Sequence, residues 1–243
     1  LKQPGNIYTR IMNPTQEALE KRMTALEGGA GALALASGTA AIYYSIINIC
    51  SAGDEVVAAN NLYGGTITMF NNILPQFGIT VRFVDPHDPK NFEAAITEKT
   101  RVLFMETIGN QALEVSDISA VAEIGGKHHL PLVVDSTFTT PCLLRPLDFG
   151  ADIVVHSLTK WIGGHGTGIG GIVIDGGRFD WTDPKFELFN RPDPSNFNLR
   201  FGHDAGADNP PGFITRMRLV PLRNLGACIS PDKAWLFQIG RAW

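Results

Sequence analysis

Cysteine is scarce in this chain: Cys50, Cys142 and Cys228 stand far apart, with no CxxC spacing. That argues against a disulfide framework or a cysteine zinc site and points to a reduced, cytoplasmic setting. An excess of one charge is also missing. Twenty Lys and Arg stand against 24 Asp and Glu, a net charge of −4, which offers no electrostatic reason to bind nucleic acid or an anionic membrane. Apolar runs are strand-sized and interrupted, so no membrane span is expected, and the first residues lack a signal-peptide pattern. No GxGxxG follows the first apolar run, which disfavours a nicotinamide-binding protein. No acidic cluster accompanies the histidines, so no metal site is expected. Repeats and low-complexity stretches are absent too.

What is present is an alternation of short apolar runs with helix-length segments. Leu1 to Thr15 lacks period and reads as an extended arm, with Thr15 as a possible cap for a helix carrying Leu19, Met23 and Leu26. Strands are expected at Ala32–Ala36, Asp54–Asn60, Ile79–Val84, Arg101–Met105, Pro131–Asp135, Asp152–Val155 and Gly170–Asp175, with helices between several of them. That order predicts an α/β fold: a mainly parallel sheet flanked by helices. Ligands in such sheets gather beyond the carboxyl ends of the strands. Ser37, Asn60, Glu106, Asp135 and Ser157 all fall at such ends and should share one site. Phe186–Asn209 shows neither period, and Phe213–Leu225 resumes as an amphipathic helix with Arg216, Arg218 and Arg223.

Two strand ends carry the chemistry. Leu132-Val-Val-Asp-Ser-Thr137 places Asp135 at the end of an apolar strand, with Thr137 beside it as a further candidate for cofactor binding, and Ile153-Val-Val-His-Ser-Leu-Thr-Lys160 delivers Lys160 into a glycine-rich loop. A lysine that attacks a carbonyl and an aspartate that keeps a pyridine nitrogen protonated suit pyridoxal phosphate. Ser37-Gly38-Thr39 at a strand-to-helix turn could bind the phosphate with backbone amides and the helix dipole. Ser157 and Thr159 could add hydroxyls, or could instead cap local backbone. Tyr63, just past a strand end, could cover the pyridine face and assist proton transfer, or could simply shield the sheet edge. Asp135 could alternatively cap a helix. His156 and His165 read as structural.

Taken together these residues resemble the Cys/Met-metabolism family of pyridoxal-phosphate enzymes, within the aspartate-aminotransferase-like type I fold. The likeness runs from Tyr8 to about Ala234. Tyr8-Thr-Arg-Ile-Met-Asn-Pro-Thr15 resembles the arm whose tyrosine and arginine reach the cofactor phosphate of a neighbouring subunit, which implies that role for Tyr8 and Arg10. Ala36-Ser-Gly-Thr-Ala40 is similar to the phosphate-binding turn, and Tyr63 to the ring-stacking tyrosine. Glu106-Thr-Ile-Gly-Asn110 resembles the segment whose asparagine approaches the cofactor's phenolic oxygen, with Gln111 where the family has proline. Asp135, Ser157, Thr159 and Lys160 fall on the pyridine partner, two phosphate-side residues and the Schiff-base lysine.

Within the family, the wording leans toward the O-acetylhomoserine sulfhydrylase branch. The resemblance implies γ-replacement on O-acetylhomoserine, in which sulfide or a thiol displaces acetate to give homocysteine or methionine. The partners it implies are a small amino-acid substrate, the sulfide or thiol, and further copies of the chain in a homotetramer, a dimer of dimers with shared active sites. Cystathionine γ-synthase or γ-lyase activity, and a non-catalytic cofactor-binding remnant, stay open as alternatives. The expected organisation is an arm at 1–14, a cofactor-binding large domain at 15–225, and at 226–243 the remnant of a linker to a missing C-terminal domain. In the family that domain supplies the arginine that grips the substrate carboxylate; Arg241 is no patterned substitute. The chain is accordingly expected to be truncated at both ends.

Overall fold

A computed structural model describes residues 5–205 and 211–240. Seven strands form one sheet in the order β1-β7-β6-β5-β4-β2-β3. They are β1 (Gly31–Leu35), β2 (Glu55–Ala59), β3 (Thr80–Val84), β4 (Thr100–Glu106), β5 (Leu132–Asp135), β6 (Ile153–Ser157) and β7 (Gly171–Asp175). Every pairing is parallel except the two made by β7, which runs antiparallel between β1 and β6. The expected α/β architecture is therefore present. Strands β2 and β7 are buried along their whole length, as continuous Val/Ile runs covered on both faces should be. Strand β3 lies at the edge, where the exposed Arg82 pairs with Glu55 of β2 at 2.7 Å.

Helices cover both faces. On one face Leu33 and Leu35 of β1, Ile153 and Val155 of β6 and Val173 of β7 join the larger core, with Ile42 and Ile46 of α2 (Gly38–Ile49) and Phe70 of α3 (Gly64–Asn72). The alternate residues Ala32, Ala34, Val154, Ile172 and Ile174 face the other way, against Leu19 and Met23 of α1 (Pro14–Glu27). The two sets follow from the period-2 alternation of side chains along a strand. Helix α1 begins two residues earlier than the sequence suggests. Asn13, not Thr15, is its cap: the Asn13 side chain accepts from the Thr15 amide at 3.0 Å, and Pro14 occupies the first helical position. Proline fits there because its fixed φ is helical and its missing N–H would have had no partner.

Two stretches differ from their sequence pattern. The aperiodic segment after Gly177 folds around its own aromatic rings: Trp181 stacks on Phe189 at 4.3 Å and on Phe213 at 5.2 Å, with Phe179 and Phe186 packed alongside. Part of it, residues 206–210, lies outside the described residues. The helix expected over 213–225 is instead α-helical at Gly212–Met217, a π turn at Arg218–Leu222 and helical again at Arg223–Leu225. Pro221 lies inside the π turn, where a residue without an N–H cannot continue the regular ladder. Arg216 is buried and Arg218 partly so, and both are paired. Arg216 donates to Asn48 Oδ1 at 2.7 Å, and Arg218 meets Glu20 at 2.6 Å.

The tail expected as a linker holds a helix, Pro231–Gly240, whose Ala234 and Phe237 are buried in the same cluster as Leu19 and Met23. Arg241 lies outside the described residues.

Candidate active site

The strand ends open onto a cavity of about 600 Å³, a size suited to a cofactor. Ser37, Gly38, Thr39, Tyr63, Glu106, Asn110, Asp135, Thr137, Ser157, Thr159 and Lys160 all line it. Four of the five strand-end positions therefore converge as expected. Asn60 is the exception: it is exposed and does not line the cavity, and its described bond runs from its backbone amide to the Val84 carbonyl on the neighbouring edge strand. Tyr8 and Arg10 are also outside the lining. Arg10 lies over the Tyr8 ring at 5.0 Å and donates to the Arg223 carbonyl.

One end of the cavity is built for an anion. Ser37 caps α2, its hydroxyl accepting from the Ala40 amide at 3.0 Å, while its carbonyl accepts from Ala41. The amides of Gly38 and Thr39 precede these at the tip of the helix, where N–H groups and the dipole favour negative charge. Gly38 allows that tip to rest on β6: a Cβ there would lie 2.6 Å from Ser157 Cβ and 2.9 Å from Ser157 Oγ. Gly171 plays the same part from β7, since a Cβ there would lie 2.1 Å from the Ser37 carbonyl oxygen. Ser157 is thereby pressed against the helix tip.

The hydroxyls of Thr137 and Thr159, both expected on the cofactor, have work within the protein. Thr159 Oγ1 donates to the Gly170 carbonyl at 3.2 Å and accepts from the Gly170 amide at 3.1 Å, closing the glycine loop. Thr137 Oγ1 donates to Asp135 Oδ1 at 2.5 Å and accepts from the Ser157 amide at 2.8 Å, so it ties the ends of β5 and β6 together. The Thr137 amide also donates to Asp135 Oδ1, at 2.9 Å. Asp135 therefore heads a local turn rather than capping a helix.

Asp135 is 8% exposed, and burial raises its pKa against the opposing bonds from Thr137. Such a carboxylate is suited to a cationic N–H partner. Glu106, its in-register neighbour on β4, is buried as well, and desolvation followed by repulsion from Asp135 pushes it up to about 8. Its Oε1 accepts from the Tyr63 amide at 2.8 Å. Tyr63 itself is half exposed at the head of α3, and Asn110 is seated through its amide on the Asn61 carbonyl at 3.0 Å. Lys160 is exposed on the rim, one turn after Ser157.

Sequence reasoning placed Glu106 at the site but gave it no role, and it missed what lies behind β6. There His156 Nε2 sits 2.5 Å from Glu27 Oε1, both residues fully buried. His165, by contrast, is exposed in the glycine loop. Among the described residues no group of three or more His, Cys, Asp or Glu could hold a metal, and no helix is long and apolar enough to cross a membrane.

An anion-binding helix tip, a buried carboxylate and a lysine on the rim of one cavity fit pyridoxal phosphate. Comparison with known proteins agrees. The family model for Cys/Met metabolism PLP-dependent enzymes matches residues 1–241. The O-acetyl-L-homoserine sulfhydrylase of Leptospira meyeri is 51% identical over 240 residues, covering 97% of this chain and 54% of that protein. The chain thus spans about half the length of the curated relatives it matches. Among solved structures, an O-acetylhomoserine (thiol)-lyase from Campylobacter jejuni, carrying a pyridoxyl-lysine monophosphate, superposes with a TM-score of 0.94 at 37% identity, over 99% of this chain and 59% of that one. A cystathionine γ-lyase from Lactobacillus plantarum, complexed with L-serine, gives 0.81 at 32% identity, over 99% and 54%. The chain belongs to the Cys/Met-metabolism family of pyridoxal-phosphate-dependent enzymes.

Proposed function

We propose that this chain forms the cofactor-holding part of an O-acetylhomoserine sulfhydrylase, a transferase that replaces the acetate on Cγ of O-acetylhomoserine with the sulfur of sulfide or a thiol. The observation that carries this reading is the convergence of Lys160, Asp135, Ser157 and the tip of α2 on one cavity. Pyridoxal phosphate, when bound, supplies an electron-accepting ring that makes an amino acid's Cα and Cβ protons removable. In this reading the Gly38 and Thr39 amides and the Ser157 hydroxyl hold the phosphate. Asp135, steadied by two bonds from Thr137, would pair with the protonated pyridine nitrogen and keep its proton in place. Tyr63 and Asn110, which also line the cavity, would serve the ring face and the phenolic oxygen. Lys160 Nζ, on the rim of the cavity, would hold the cofactor's carbonyl carbon and would serve as the base for the substrate's Cα proton.

The same reading makes residues 15–225 the cofactor-binding domain and 1–14 an arm. Tyr8 and Arg10, which stand outside their own chain's cavity, would serve the site of a second copy, within a homotetramer acting in the cytoplasm. The γ-lyase resemblance keeps one competing reading in view, because cystathionine enzymes share this cavity and differ in substrate.

The test is a visible spectrum of the chain with pyridoxal phosphate, before and after O-acetylhomoserine, followed by product analysis with sulfide. A band that shifts with O-acetylhomoserine, with homocysteine released only when sulfide is present, is the expected result. Release of cystathionine from cysteine would replace the sulfhydrylase reading with the γ-synthase one. A band indifferent to every substrate would leave cofactor binding without turnover and refute the proposed activity for this chain.

A further inference from the structure

The carboxyl of Glu106 lines the cavity, and the scheme above gives it no work. It ends β4 directly beside Asp135 of β5, the two being in-register partners in a parallel pairing. Both line the same cavity and both are nearly inaccessible, at 5% and 8% exposure. Two carboxyl groups side by side in a poorly solvated site do not both ionise; one keeps a proton. The hydrogen bonds decide which. Asp135 Oδ1 accepts from both the amide and the hydroxyl of Thr137, whereas Glu106 accepts from the Tyr63 amide alone. Bonds donated to an oxygen favour its charged form, so the negative charge settles on Asp135.

We propose that Glu106 is a positioning residue of the cofactor site: it stays a neutral carboxylic acid beside charged Asp135, and through its carbonyl oxygen it fixes the backbone from which Tyr63 projects over the cavity. Among the described residues, three other charged or titratable groups line the cavity. Asp135 faces it from β5, Tyr63 from the turn into α3 and Lys160 from the loop after β6. His156 acts on Asp135 from beneath and favours its charged form. Were Glu106 ionised, the second negative charge would make the Asp135 proton balance ambiguous. A neutral carboxyl avoids this and can still accept the Tyr63 amide. The position of the stacking ring is thus tied to the carboxyl beside the pyridine partner. The inference extends the cofactor reading, but its first readout needs no cofactor.

That readout is infrared difference spectroscopy of the full chain, comparing the unsubstituted protein with Glu106→Gln and Asp135→Asn. Beside any protonated-carboxyl band from Asp175 and Asp152, which all three chains keep, a further carbonyl stretch is expected that is missing in Glu106→Gln, present in Asp135→Asn, and fades as pH rises through about 8. A band lost in Asp135→Asn but kept in Glu106→Gln would put the proton on Asp135 and overturn the assignment. So would the absence of any Glu106-dependent band. The second readout is pyridoxal-phosphate affinity. Glu106→Gln retains an acceptor for the Tyr63 amide and should bind within about 3-fold of the unsubstituted chain, whereas Glu106→Ala orphans that amide and should weaken binding roughly 10-fold. Equal losses in both variants would refute a neutral positioning role. Should the unsubstituted chain itself not bind the cofactor, the functional reading fails while the infrared result still decides this one.

Discussion

Gly38→Ala is a small change with a large expected consequence. The added Cβ would lie 2.6 Å from Ser157 Cβ and 2.9 Å from its Cα and Oγ. Ordinary carbon–carbon contact lies near 3.5–4.0 Å, so the tip of α2 and the end of β6 must part by about 1 Å. Overpacking of that kind costs about 1–3 kcal/mol, against a gain of at most about 1 kcal/mol from replacing glycine in a helix. The chain should lose about 1–2 kcal/mol by urea denaturation. The larger effect is on the phosphate. A shift of about 1 Å takes an amide at ordinary hydrogen-bond distance out of range. Losing one charge-assisted bond, worth about 1.5–3 kcal/mol, weakens binding roughly 10- to 150-fold. Titration with both pyridoxal phosphate and pyridoxal isolates the effect, because the second lacks the phosphate. The ratio of the two affinities should fall by that factor while pyridoxal binding stays nearly constant. An unchanged ratio would show that the α2 tip does not hold the phosphate.

The C-terminal helix supports the loop after Lys160, since Phe237 fills the space beside Gly163, Gly168 and Gly170; Phe237→Ala should cost about 3–5 kcal/mol in urea unfolding, and a loss under 1 kcal/mol would remove this helix from the domain core. Stability should decline as pH rises. Burial raises Asp175 to about 7 and Asp152 to about 6, so the folded chain holds protons that the unfolded chain releases above about 4. Their stabilising contribution is complete below pH 4 and lost by pH 7. Asp175→Asn should flatten that decline by a few kcal/mol in denaturant titrations at successive pH values, and an unaltered slope would refute the assignment. If Arg10 serves a second copy, mixing Arg10→Ala with Lys160→Ala chains should restore up to about one quarter of the activity by leaving one intact site per hybrid dimer. No recovery, with mixed dimers demonstrated, would confine the arm to its own chain.

Much of this protein is decided locally and can be read from the chain. Continuous runs such as Leu132-Val-Val-Asp135 and Ile153-Val-Val155 announce buried parallel strands, because apolar residues on both faces are stable only beneath helices on both sides. The polar residue ending each run marks the ligand side of the sheet, which made Ser37, Glu106, Asp135 and Ser157 legible as one site. Asn60 satisfied the same rule and failed: it follows β2, one strand in from the β3 edge, is exposed, and stands outside the lining that Tyr63 joins three residues later. Strand order is set by long-range pairing, which leaves no periodic trace in the sequence. That is also why the antiparallel insertion of β7 between β1 and β6, and the close approach it imposes at Gly171, could not be foreseen. Single side chains follow the same division. The sequence by itself determined that Asp135 ends one apolar strand and that Lys160 follows another by a single turn, since burial pattern and residue type are properties of the chain. Only the tertiary structure decided that Thr137 serves Asp135, that Thr159 closes the glycine loop, and that Glu106 lies beside Asp135 and beneath Tyr63. A hydroxyl or carboxyl has several possible partners, and only the placement of neighbouring strands selects among them.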